Sequence, residues 1–325
     1  MCLTGIVAFS SVPAEAKAKP KLSSKSVMIA MGGKQKIKLK NGKGKWTIRN
    51  DGVATITKRT KKYVVVNPLK AGQTVVTCKV GKKKLKCKVR VVNNTIGNPE
   101  DDLGYACVVG DSTDIGINLK NGLTVNDIQF DSSVGQVTRE TVNDPKKGYP
   151  VEHLHITALR PGRFRLDVVT SDPAKSGYIN FVFINGFRGK AKVKKTDANY
   201  KKWRKNTINT MVSADMSTWE IINAVGTLIS TGKYGLKGGA SGKQLWYGGN
   251  GTCVSGAKMM NDFMKDLGIT SKVHFAGNSG GNTDIFGYTI FYASAHKNTW
   301  FTLGGAKWEV NPQPGMMWPT GTVKR

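Results

Sequence analysis

The chain has 325 residues, 38 of them glycine, and a formal net charge of +29. That length fits two or three domains with sizeable cores, and with no stretch of about 18 apolar residues, no transmembrane segment is expected. A charge this large excludes indifference to polyanions and makes the placement of the lysines the first question.

Met1 to Ala16 read as a secretory signal that lacks its basic leader. Cys2 to Phe9 form a short apolar core, and Ala14-Glu15-Ala16 fits a small-x-small cleavage site. The alternative is a chance apolar start, and either way residues 1–16 are set apart from the fold. From Lys17 to Asn93 there are 23 Lys and Arg against one acid, Asp51, a net +22. Thr95 to Phe187 carry 8 basic and 12 acidic residues, a net −4, and Arg188 to Arg325 carry 19 and 7, a net +12. A chain polarised in this way is expected to adhere to an anionic cell-wall polymer, teichoic acid for instance, if it is secreted by a bacterium. Nucleic acid would be the partner of an intracellular protein and is not expected here. Lysines that merely solvate exposed strand faces account for part of the charge, but not for the missing acids.

Residues 17–95 show period-2 alternation broken by Gly and Asn, the pattern of a small β-sandwich. Ile37 and Leu39 alternate with lysines, Val64 to Val66 form a run, and Thr74 to Val80 with Leu85 to Val91 form a Lys-rich hairpin. The expected core is Trp46, Val53, Ile56, Val65, Val75 and Val89. If Val80 pairs with Leu85, Cys78 lies opposite Cys87. They then form either a disulfide or two small residues sharing an inner face. Lys45-Trp46-Thr47-Ile48, Gly52-Val53-Ala54-Thr55-Ile56 and Leu69-Lys70-Ala71-Gly72-Gln73-Thr74-Val75-Val76 resemble the bacterial Ig-like (group 2) domain. That resemblance implies a spacer or adhesive module.

Residues 96–190 read as a second Ig-like β-sandwich. Its segment Ala158 to Leu166 echoes Pro68 to Val76, with a Gly before a returning strand in each. Lys190 to Lys195 read as a basic linker. The texture of residues 196–325 is then α+β. Ser217 and Glu220 have capping-box spacing, Trp219, Ile222, Val225 and Ile229 recur at helical intervals, and Gly232 ends the helix.

A second helix opens at Gly251-Thr252-Cys253, with Thr252 as N-cap, and Val254, Ala257, Met260, Met264 and Leu267 form its apolar stripe up to Gly268. A thiol in a first helical turn meets unpaired N–H groups and the positive end of the dipole, which favours thiolate. Cys253 has no evident disulfide partner. Downstream, an aromatic strand from Phe286 to Ala295 leads to His296. Trp300 to Leu303, Gly304-Gly305 and Lys307 to Asn311 read as a hairpin. With Leu303 and Ala306 bracketing the turn, His296 falls opposite a position within two residues of Asn311.

These three pieces resemble the transglutaminase-like superfamily of the papain-like fold, which has a Gly-x-Cys opening a helix, a His before a Trp-containing strand and a Val-Asp-Pro after a turn. The resemblance implies a Cys253, His296, Asn311 catalytic triad, with Asn where the family has Asp. It also implies an oxyanion donor before the nucleophile, for which Tyr247 and Gln244 are the candidates. No cofactor is implied. His274 reads as a packing residue, and His153 with His155 as a same-face pair lacking a third metal ligand. Gly248-Gly249-Asn250-Gly251 lacks a phosphate loop's Lys-Ser/Thr and reads as room for substrate beside the thiol. Two functions from different classes follow. One is a secreted cysteine-nucleophile acyl-transfer enzyme that attacks a peptide or protein substrate and passes the acyl group to water or an amine. The other is a non-catalytic cell-wall adhesion protein with a degenerate C-terminal domain.

Overall fold

A computed structural model describes residues 18–99, 105–185, 193–275, 280–283, 289–292, 296–315 and 322–324. The expected signal over residues 1–16, half of the basic linker and much of the aromatic strand before His296 lie outside the described residues.

The first unit is a β-sandwich of β1 (Lys21–Leu22), β2 (Ser26–Ile29), β3 (Gln35–Lys40), β4 (Lys45–Ile48), β5 (Ala54–Arg59), β6 (Tyr63–Pro68), β7 (Gly72–Val80) and β8 (Lys83–Val91). One sheet runs β1-β3-β6-β5 and the other β2-β8-β7-β4. Alternation works as expected in β3, where Ile37 and Leu39 are buried and the lysines between them are exposed. Trp46 and Val89 are in the core, but Val64, Val66 and Val76 point inward where Val65 and Val75 were expected. Val53 and Ile56 are only partly buried. A run of three valines does not reveal its own parity, and a slip of one residue reverses every face.

The β7–β8 register differs from the expected one by two residues. Val80 pairs with Lys83, so Cys78 faces Leu85 and Cys87 faces Val76. Gly81, at φ 56, makes this possible by supplying the first position of a two-residue turn. Cys78 and Cys87 are buried free thiols sharing the inner face, and burial raises both pKa values.

The second unit contains β9 (Tyr105–Val108), β10 (Ser112–Asn118), β11 (Val125–Gln129), β12 (Gly135–Asp144), β13 (Tyr149–Ala158), β14 (Gly162–Thr170) and β15 (Gly177–Ile184). Its sheets, β10-β13-β12 and β11-β14-β15-β9, close on Leu154, Ile156, Phe164, Leu166, Phe181 and Phe183. The sequence echo is a structural repeat. Gly72 and Gly162 open equivalent strands at φ 149 and 148. Just before them, Leu69 and Lys70 both donate to Val53 O, as Leu159 and Arg160 do to Val134 O.

The third unit is α+β. It comprises α1 (Asp197–Met211), α2 (Thr218–Ser230), β16 (Lys233–Tyr234), α3 (Gly242–Gly248), β17 (Asn250–Gly251), α4 (Cys253–Asp266), β18 (Thr270–Phe275), β19 (Gly280–Thr283), β20 (Thr289–Tyr292), β21 (Lys297–Leu303), β22 (Ala306–Val310) and β23 (Thr322–Lys324). The main sheet is antiparallel, β18-β21-β22-β23. The capping box forms as read: Ser217 Oγ accepts from Glu220 N at 3.1 Å, and Glu220 Oε2 accepts from Ser217 N at 2.7 Å.

Helix α2 is buried on every side, although its sequence reads as one-sided. One core joins all three units and includes Met28, Ala30, Val92, Val182, Ile184, Trp219, Phe263 and Trp308. The first sandwich docks on the third unit through backbone hydrogen bonds from Ala30 N to Leu267 O (2.9 Å) and Lys34 N to Gly268 O (2.8 Å). Thr218 N and Trp219 N, at the start of α2, donate to Thr95 O and Ile96 O. From the second sandwich, Arg163 Nε reaches to 2.9 Å from Glu220 Oε1. Glu220 therefore caps α2 and pairs across a domain boundary while 1% exposed. Replacing it with Ala should destabilise the protein by about 2–3 kcal/mol, through loss of the cap and of the charge facing Arg163. Urea denaturation would measure this, and an unchanged midpoint would show that the junction tolerates the loss.

Candidate active site

Helix α4 begins at Cys253, after Thr252 in extended conformation. Ser255 Oγ accepts from Thr252 N at 2.8 Å and fixes this first turn. Val254, in the expected stripe, is only partly buried, whereas Met259 and Phe263 are fully buried. The helix is therefore enclosed on more than one face. On the sheet side, Thr299 Oγ1 of β21 donates to Ala257 O at 2.9 Å. Gly256 lies so close to the segment after β22 that a Cβ there would sit 2.2 Å from Pro312 O.

The hairpin register is the expected one. Leu303 pairs with Ala306 and Thr299 with Val310, which places His296 and Asn311 just beyond the last pair on opposite arms. His296 Nε2 and Asn311 Oδ1 are 2.6 Å apart, with the two residues 6% and 3% exposed. The neutral tautomer with Nε2–H donating to Asn311 leaves Nδ1 to receive the thiol proton.

The Cys253 thiol is hydrogen-bonded to His296. Burial pushes its pKa up, but that bond, the Lys297 and Val254 N–H groups and the charge of His296 together bring it below a thiol's ordinary value. Burial likewise pushes His296 down, and its bonds to Cys253 and Asn311 outweigh this and raise its pKa. The two shifts favour the same state, thiolate beside imidazolium. Cys253, His296 and Asn311, singled out from the sequence, are brought together by the fold. Sequence reasoning missed the Lys297 N–H, whose donation depends on backbone position and leaves no mark in residue type.

The oxyanion candidates occupy α3. Gln244 Oε1 accepts from Ser241 Oγ at 2.9 Å, and its amide packs flush against Gly239. The Tyr247 ring contacts Trp246 and lies under Lys195 Nζ, 5.4 Å from the ring centroid. Among the described residues neither is hydrogen-bonded to Cys253. The glycines before the thiol serve the backbone: Gly249 caps α3 at φ 73, and a Cβ on Gly251 would meet Ser255 Oγ at 2.1 Å. Elsewhere, His274 stacks on Trp300 with centroids 3.6 Å apart. His153 and His155 are exposed, and His155 Nδ1 is 2.7 Å from Asp114 Oδ1. No group of three potential metal ligands converges among the described residues. A cleft of about 400 Å³ lined by Gln129, Phe130, Asp131, Arg163, Arg165, Asp167 and Asp215 contains none of the candidate residues.

No family model matches the chain, and no curated protein does. Among solved structures, domains 5–6 of the S-layer protein SbsC match at 21% identity over 51% of this chain and 97% of that one, with a TM-score of 0.21. Domains 4–9 of SbsC match at 16% identity over 95% of this chain and 50% of that one, also at 0.21. A tandem pair of titin Ig domains matches at 8% identity over 51% and 97%, at 0.20. Scores this low carry nothing about activity or partner.

The multiple-β-sandwich reading stands on the paired sheets and separate cores of the first two units. The assignment to the transglutaminase-like superfamily, and with it the papain-like label for residues 196–325, does not stand: no family model matches the chain, and no papain-like transglutaminase is found. The physical reason is that the resemblance rested on three short motifs. A helix start and a tight hairpin recur on unrelated folds, and a Cys–His–Asn constellation is defined by geometry, not by ancestry.

Proposed function

We propose that the third unit carries a thiolate acyl-transfer site acting on peptide or protein amides at the cell surface, while the basic first sandwich holds the protein to an anionic wall polymer. The observation that carries the reading is the chain of contacts from Cys253 to His296 to Asn311 at a helix N-terminus. The Cys253 proton passes to His296 Nδ1, and Sγ attacks the amide carbonyl carbon. The Cys253 N–H, free at the helix start, faces the developing oxyanion, with Tyr247 or Gln244 as a second donor. His296 returns the proton to the leaving amine as the C–N bond breaks. The acyl group then leaves sulfur for water or for an amine, whose proton His296 takes. Asn311 keeps the imidazole in this tautomer but contributes no charge to the imidazolium.

The second reading is a non-catalytic surface-binding protein that keeps the site's shape without turnover. It is favoured by the neutral Asn311 and by a first sandwich whose bases, among the described residues, form no ion pair. No helix among the described residues is long and apolar enough to cross a membrane. The experiment is a panel of cell-wall peptides and protein substrates incubated with wild type and with Cys253→Ala. Product that disappears with Cys253 is expected. Wall retention by the wild type with no product from any substrate would sink the enzyme and leave the binder.

A further inference from the structure

In the β2-β8-β7-β4 sheet, Lys45 pairs with Lys79 and Lys79 with Lys84, so three lysines stand abreast on three adjacent strands. All three are exposed on the outer face. One register step along β8 comes Lys86, and two steps along comes Lys88. Lys88 pairs with Ser26, and there Lys205 of α1 continues the line, with its Nζ 3.0 Å from Ser26 Oγ. Like charges directly opposite each other in a sheet destabilise it. Among the described residues, no Lys or Arg of the first sandwich forms an ion pair. Folding alone gives no reason for this row.

We infer that the row Lys45–Lys79–Lys84, continued by Lys86, Lys88 and Lys205, is a binding track for a linear phosphodiester polymer. The inference rests on the reading of the first sandwich as a polyanion anchor and narrows it to one face. Neighbouring strands lie about 4.8 Å apart, and alternate residues along a strand about 6.7 Å, so the ammonium groups form a regular grid. A flexible polymer with one phosphate per short polyol repeat can set consecutive charges on such a pitch. Lysine suits it as a mobile point charge that makes no planar, bidentate demand. Single-stranded nucleic acid is disfavoured on this face. The residues between the lysines are Thr47, Thr77 and Val75, which offer no ring for a base to stack on. The opposite sheet differs, with Tyr63 among its lysines and Lys36 Nζ 3.9 Å above the ring.

The test uses the full chain and immobilised poly(glycerol phosphate). Lys45→Gln, Lys79→Gln and Lys84→Gln together should weaken binding about tenfold or more at moderate salt and flatten the log–log salt slope by about two. The matched triple Lys36→Gln, Lys38→Gln and Lys40→Gln on the opposite sheet should lose far less. Alkylation of Cys253 should be unchanged in both and reports folding. Equal losses in the two triples would overturn the track and leave a diffuse anchor. A wild type that ignores the polymer would overturn the anchor itself. Tighter binding of a single-stranded oligonucleotide than of the polyol phosphate would give the face to nucleic acid instead.

Discussion

Replacing His296 with Ala is expected to slow iodoacetamide alkylation of Cys253 at pH 7 about tenfold and to move the rate–pH profile upward. An ordinary thiol, with a pKa of about 8.5, is only ~3% ionised at pH 7. In the wild type the Cys253 pKa is lowered and that of His296 raised, and both shifts widen the pH window in which thiolate can stand beside imidazolium. The window closes on the acid side as the thiolate is protonated and on the alkaline side as His296 loses its proton. Without His296, burial acts on Cys253 with less opposition and the thiolate fraction at pH 7 collapses. A thiolate of low pKa is also intrinsically less nucleophilic, which holds the gain near tenfold rather than the full ratio of ionised fractions. At alkaline pH, once the thiol is ionised in both proteins, their rates should converge. Superimposable profiles for wild type and His296→Ala would mean that the imidazole does not activate the thiol. Asn311→Asp should widen the window, because a carboxylate would favour the imidazolium.

Gly256→Ala is expected to remove the activation of Cys253 although no candidate residue is substituted. The added Cβ would stand 2.2 Å from Pro312 O and 3.1 Å from Pro314 Cδ. The first is backbone, so relief requires α4 and the segment following β22 to separate. That segment begins with Asn311, and α4 begins with Cys253. A displacement of about 1 Å is enough to cost roughly a hundredfold in a positioned reaction. Overpacking of this kind also costs about 1–3 kcal/mol of stability. The measurements are the Cys253 alkylation rate at pH 7 and thermal denaturation. Destabilisation with a wild-type alkylation rate would show that the helix moves without disturbing the thiol–imidazole contact.

The sequence made the local geometry of the site legible and left its depth hidden. Leu303-Gly304-Gly305-Ala306 specified the hairpin register, and with it the meeting of His296 and Asn311, because a two-residue turn admits few alternatives. The capping box at Ser217 was legible for the same reason: it is a contact between neighbours in the chain. The burial of α2 on all sides was not. It depends on Ile184 of the second sandwich and on Met28 and Val92 of the first, whose approach no periodicity announces. The Cys78–Cys87 register slipped because Gly81 allows a shorter turn than Gly81-Lys82-Lys83-Lys84 suggests. Family membership was the least legible, since short motifs report local geometry and not descent.

The shared core also imposes an order in time. Met28 lies in β2, and Ala30 and Val92 directly follow β2 and β8, which can pair as soon as β8 is made, yet all three share a core with α4 and its neighbours. At about 5–20 residues per second, the roughly 170 residues between Val92 and the end of α4 take on the order of ten to thirty seconds to synthesise. Through that interval the first sandwich displays an apolar patch beside a densely cationic surface, whose mutual repulsion discourages two nascent chains from meeting. The lysines would thus guard the incomplete fold by charge alone.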